Sequence, residues 1–214
     1  MDPMSHSPTS TSTATAIAAG TAMGAVSLTV SDIGRSRAFY ETALGLSPRE
    51  REDGGLAFGV AGGTDLVTLY GDVSATRLDR RATGLYHLAI LFGSRLDLAH
   101  ALARLAQARW SLDGVSDHLV SEALYLSDPD GNGIELYRDR LRDKWRYPGG
   151  QLQMATLPLD LRGLADELGA VTEPQTSVPA DTTIGHTHLQ VADIADAEAF
   201  YHGVLGFDVT ARGY

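Results

Sequence analysis

His186 and His188 lie two residues apart in the stretch GHTHLQV that begins at Gly185. If that stretch is extended, both imidazoles fall on one face of the strand. Such a pair can line a pocket, and it can equally be polar filler. The run Asp128-Pro129-Asp130-Gly131-Asn132-Gly133 has oxygen-bearing side chains at alternate positions, the spacing of a calcium loop. A calcium loop needs flanking helices and a bidentate Glu at its end, however. This run has Pro129 inside it, strand patterns on both sides, and Glu135 where an apolar residue belongs, so a hairpin turn is the better reading. The chain contains no cysteine, which excludes disulfides, thiolate metal sites and a thiol nucleophile. Of the other histidines, His6, His100 and His202 read as solvated, and His118 as a surface or interface residue.

The elements that would position these groups follow from periodicity. Residues 25–30 alternate apolar and polar, Ser31-Asp32 offers a cap, residues 36–44 have helical apolar spacing, and Gly45 stops the helix. Short strand-like pieces follow near 46–52, 56–60 and 66–70. After the charged connector 77–81, residues 85–92 read as a strand and 96–108 as a helix with Leu98, Leu102 and Leu105 on its core face. Strands are expected at 119–126 and 134–137, around the turn at 128–133. The second unit is read as a repeat of the first unit's β-α-β-β-β order. Asp160 caps a short helix that Gly169 ends, and 172–183, rich in Pro, Ser and Thr, reads as a linker.

Composition narrows the class. With 17 Lys and Arg against 27 Asp and Glu, the net charge is −10, the wrong sign for a nucleic-acid surface. No apolar run is long enough to span a bilayer. These features predict a soluble cytoplasmic protein with no nucleic-acid or membrane partner. Residues 1–22, mostly Ser, Thr and Ala, predict a disordered tail, and Met23 is a second candidate initiator.

The strongest organisational signal is an internal repeat. GAVSLTVSDIGRSRAFYETALGL from Gly24 realigns without gaps onto GHTHLQVADIADAEAFYHGVLGF from Gly185. Identities include Asp32/Asp193, Ile33/Ile194, Phe39/Phe200, Tyr40/Tyr201 and Gly45/Gly206. Two unrelated β-α units would share the apolar positions but not these pairs at one register, so the repeat is a duplication.

These phrases, with YLSDPDGNGIELY, resemble the vicinal oxygen chelate superfamily, which includes glyoxalase I, bleomycin-resistance proteins and extradiol ring-cleavage dioxygenases. The stretches GLYHLAILFGSRLDLAHALARL and SDHLVSEALYLSDPDGNGIELYRDRLRDKW are similar to its catechol 2,3-dioxygenase branch. The resemblance implies an α+β fold of tandem βαβββ modules paired into a cup. It divides the chain into the tail 1–22, a first domain 23–142 (modules 23–75 and 83–142), a linker with a short helix at 143–182, and a partial second domain at 183–214.

The resemblance also implies a site. The family's first-strand ligand position is Ala25 in the first module, His87 in the second and His186 in the third; Glu135 occupies the last-strand carboxylate position of the second. His186 is then the lead ligand of a divalent metal, Fe(II) foremost, with its remaining partners expected in a fourth module beyond Tyr214. His87 and Glu135 are expected in a separate, inactive first cup, where a buried hydrogen-bonded pair is the plainer reading. His188 is a candidate substrate-binding residue, and the resemblance names no catalytic acid or base. The expected function is extradiol cleavage of a catechol-type aromatic diol with dioxygen. The alternatives are a non-catalytic small-molecule-binding protein of the bleomycin-resistance kind and a glyoxalase-like isomerase. A homo-oligomer is compatible with all three.

Overall fold

A computed structural model describes residues 16–79, 81–171 and 173–213. His6 and most of the expected tail lie outside the described residues. The first repeat forms β1 (Val26–Val30), α1 (Ile33–Ala38) continued by a π-helical turn at Phe39–Ala43, then β2 (Ser47–Glu50), β3 (Leu56–Gly59) and β4 (Asp65–Gly71). Asp32 caps α1 by accepting from the Arg35 N–H at 2.9 Å. Gly45 takes a left-handed φ of 75° just after the turn. A Cβ there would stand 2.8 Å from Arg104 Nε and 2.9 Å from Thr176 O, so the position needs glycine for space as well as conformation.

The second repeat forms β5 (Gly84–Phe92), α2 (Arg95–Gln107), β6 (Gly114–Asp117), β7 (Ser121–Ser127) and β8 (Gly133–Asp139). The linker adds α3 (Leu161–Asp166), capped by Asp160. The third repeat supplies β9 (Thr183–Gln190) and α4 (Ile194–Glu198), followed by a second π-helical turn at Ala199–Val204. The strands make two sheets, β1-β4-β3-β2 and β6-β7-β8-β5-β9. One apolar core joins the modules, containing Phe39, Tyr40 and Leu44 from the first and Leu98, Leu105, Leu124 and Ile134 from the second. Along β5, Leu88, Ile90 and Phe92 enter that core, which leaves His87 and Ala89 on the opposite face. Among the described residues, no helix is long and apolar enough to cross a membrane.

The third repeat, which the resemblance places in a partial second domain, pairs with the second module. β9 joins the second module's sheet, running antiparallel to β5 along its outer edge, while β1 stays in its own sheet. The reason lies in the linker, which is docked at several of its described residues. Leu159, Leu164 and Val178 are buried in the core. The Gln175 N–H donates to His100 Nδ1 at 3.2 Å, Arg104 Nη1 donates to Gln175 O at 3.0 Å, and the Val178 N–H donates to Gly45 O at 3.0 Å. These contacts return the chain to the edge of β5. They also correct the reading of His100, which is buried under the linker and not solvated. His202 is exposed, as expected.

The acidic turn is a structural joint. Asp128 Oδ1 accepts from the backbone N–H groups of Asp130 and Asn132 at 2.9 Å each, and Oδ2 accepts from Asn132 Nδ2 at 2.8 Å. Tyr40 Oη donates to Asp128 Oδ2 at 3.1 Å across the module interface, and Asp130 bonds Ser31 and Arg35 of the first module. Burial, with Asp128 beside it, pushes the Tyr40 hydroxyl well above its ordinary pKa, so it remains a donor. Tyr40→Phe strips this donor from a buried carboxylate and is expected to cost about 1–3 kcal/mol in urea unfolding.

Candidate metal centre

Three adjacent strands build the site. In the β8-β5-β9 order, Glu135 and His186 both pair with Ala89, one from each side. Ala89 is fully buried and has only a methyl group, so the two longer side chains meet above it. His87 projects from the same face of β5, two residues before Ala89. β9 carries an irregularity here: Ile184 pairs with Ile90 and His186 with Ala89, leaving Gly185 unpaired. A bulge of this kind re-aims the next side chain, here His186.

His87 Nε2 and His186 Nε2 stand 2.9 and 3.0 Å from the same oxygen, Glu135 Oε2. One donor atom from each of the three residues lies within 4.8 Å of the others. Metal–nitrogen and metal–oxygen bonds of about 2.0–2.2 Å put two ligand atoms at right angles about 3 Å apart. The observed spacings therefore suit two His and one carboxylate on one face of an ion. His87 supplies a second test. Its Nε2 is buried 2.9 Å from Glu135 Oε2, yet makes no hydrogen bond. A buried unsatisfied nitrogen is costly, and a cation between the three groups would remove that cost. Burial acts to raise the Glu135 carboxyl, but the two imidazoles against it prevail and hold it at about 2, so it is anionic. The residues fit a divalent ion.

A cavity of about 470 Å³ opens over the three groups. His188 faces His87 directly across the β5–β9 pairing, with ring centroids 4.8 Å apart, and lines the cavity. Burial, then the neighbouring His87 and His186, lower its pKa and favour the neutral imidazole. On the other side stands Tyr125, paired with Glu135 and 5.6 Å from the His87 ring. His118 Nδ1 lies 2.8 Å from Ala155 O, and His118 Nε2 lies 2.8 Å from Tyr125 Oη. A carbonyl only accepts, so Nδ1 donates to Ala155 O, which leaves Nε2 to accept from the Tyr125 hydroxyl.

His118 is held there by the β6–β7 hairpin, which turns at Leu119 with a left-handed φ of 69°. That conformation costs a non-glycine residue on the order of 1 kcal/mol or more. The Arg140–Asp117 pair, at 2.7 and 2.8 Å, braces the turn.

The structure thus brings together residues that the sequence reading divided. The resemblance places the partners of His186 beyond Tyr214 and His87 with Glu135 in a separate cup; the three converge within this chain. His118 is not a plain surface residue, since it lines the cavity. The sequence alone assigns Tyr125 no role, although alternation along β7 and its register with β8 put it on the face of Glu135.

The family described as the Glyoxalase/Bleomycin resistance protein/Dioxygenase superfamily matches residues 22–136 and 183–214. The "Catechol-2,3-dioxygenase" of Bacillus subtilis (strain 168) is 45% identical over 200 residues, which cover 92% of this chain and 69% of that protein. Among solved structures, a glyoxalase/dioxygenase from Nostoc punctiforme is 22% identical with a TM-score of 0.47, covering 54% of this chain and 89% of its own. A glyoxylase/bleomycin resistance protein/dioxygenase domain from Frankia sp. EAN1pec is 25% identical with a TM-score of 0.48, covering 56% and 98% respectively.

Proposed function

The chain belongs to the Glyoxalase/Bleomycin resistance protein/Dioxygenase superfamily, and from that premise we propose that it acts as an extradiol ring-cleavage dioxygenase on a catechol-type aromatic diol. The observation that carries this reading is the convergence of His87, His186 and Glu135 on one point beneath an open cavity. In this reading the three residues hold Fe(II). When bound, the ion supplies Lewis acidity toward the diol and one-electron chemistry toward dioxygen.

The remaining work falls to this chain's own side chains. Glu135 stays ionised and balances part of the metal's charge. Because Tyr125 donates its proton to His118, its oxygen presents lone pairs with which to accept a hydrogen bond from a diol hydroxyl in the cavity. A proton arriving there passes to His118 Nε2, and the resulting imidazolium is stabilised by Ala155 O at Nδ1. His188 offers a neutral imidazole on the opposite side, as a contact for the diol.

The test is anaerobic loading with Fe(II), followed by catechol and then oxygen. One tightly bound ion per chain and a coloured ring-fission product are expected. Uptake of no ion, or the absence of new absorbance across a panel of diols, rejects the reading.

A further inference from the structure

The linker also walls the cavity. Residues 152–157 run beside β6, where Asp117 and Leu157 exchange both backbone hydrogen bonds at 2.9 Å each. Between those ends, Ala155 O holds His118 Nδ1 at 2.8 Å. The start of the segment is pinned as well, by Leu152 N–H to Thr210 O at 3.1 Å and Gln153 N–H to Arg146 O at 2.9 Å. In an extended segment, side chains two apart share a side, and Met154 and Thr156 both line the cavity.

This wall has a fixed relation to the reacting end. His87 lies beside Tyr125, Tyr125 bonds His118, and His118 bonds the strap at Ala155. A diol whose two oxygens are anchored at the metal end must direct its ring, and any substituent remote from those oxygens, into the rest of the cavity. Met154 is a half-buried apolar side chain there, on a backbone anchored at both ends. The thioether adapts in shape but offers no strong hydrogen bond, so it discriminates by volume and favours apolar groups.

Building on the catechol reading above, we propose that the strap 152–157 is the specificity wall of the site, with Met154 setting how large an apolar ring substituent is accepted. A change of one or a few carbons at such a wall alters discrimination about 10–200-fold per methylene where packing is tight.

The test compares catechol with 4-tert-butylcatechol on the Fe(II)-loaded full chain, by kcat/KM and by anaerobic binding titration. Met154→Ala is expected to raise the bulky-to-plain ratio at least about tenfold in both measurements, and Met154→Trp to lower it by a similar factor. The two variants push in opposite directions, which general loosening of the fold cannot do. A ratio within about twofold of the parent in both variants, with catechol still bound, overturns the strap's role alone. If the metal-loaded parent binds neither diol, the catechol reading fails and this inference falls with it.

Discussion

His186→Ala is expected to lower Fe(II) affinity by more than about a hundredfold, measured anaerobically by calorimetry or chelator competition. Loss of even an outer partner of a metal ligand typically costs 10–100-fold, so loss of a direct ligand should exceed that range. The fold should tolerate the change, because the His186 side chain is 44% exposed and β9 is held by its backbone pairing to β5. Far-UV circular dichroism and the thermal melt should therefore stay close to the parent. The variant separates two arrangements that predict opposite results. If His87 and Glu135 form a self-contained buried pair, removing His186 leaves their weak two-donor affinity unaltered. If the three act together, the ion is lost. Glu135→Gln should have at least as large an effect, since it removes the anionic charge that the two imidazoles hold in place. Affinity within about threefold of the parent in both variants would place the ion elsewhere.

Local patterns made much of the fold legible. Asp32 and Asp160 cap the helices that the sequence predicts, and the strands and helices read from periodicity have counterparts in the structure, whereas β6 (Gly114–Asp117) is not among them. The residues of the site were legible one by one, yet their assembly was not. The repeats 24–46 and 185–207 encode the same β-α unit, and nothing in that unit says which sheet edge its strand will join. The environments diverge accordingly: Phe39 and Tyr40 are 3% and 0% exposed, whereas the equivalent Phe200 and Tyr201 are 50% and 38% exposed. The choice of edge is made by the linker, through backbone bonds to His100, Arg104 and Gly45 that side-chain periodicity does not register. His118 escaped for a related reason. Its role depends on a hairpin turning at a non-glycine residue and on a carbonyl supplied by residue 155, and neither leaves a spacing signal.

Gly185→Ala should weaken metal binding at least about tenfold while leaving both complete modules folded, and Tyr137→Phe should partly restore it. Gly24 and Gly185 occupy the same place in the repeat, but for different physical reasons. A Cβ on Gly24 would meet nothing within 4 Å, whereas on Gly185 it would stand 1.9 Å from Tyr137 Oη and 3.1 Å from Leu91 Cβ. Tyr137 is buried, and its ring packs 5.0 Å from that of His186, so it has little room to yield. The added methyl must therefore push β9 off the sheet at the bulge that aims His186. A ligand shifted on the order of 1 Å no longer shares one point with His87 and Glu135, and sites of this kind need placement within about 0.5 Å. Removing the phenolic oxygen takes away the nearest atom, but ring Cζ would still lie at 2.8 Å, which is why the rescue is only partial. A double-mutant cycle on metal affinity measures that coupling. Parent-like affinity in Gly185→Ala would show that β9 adapts without moving His186. Equal losses in the single and double variants would show that Tyr137 is not the obstacle.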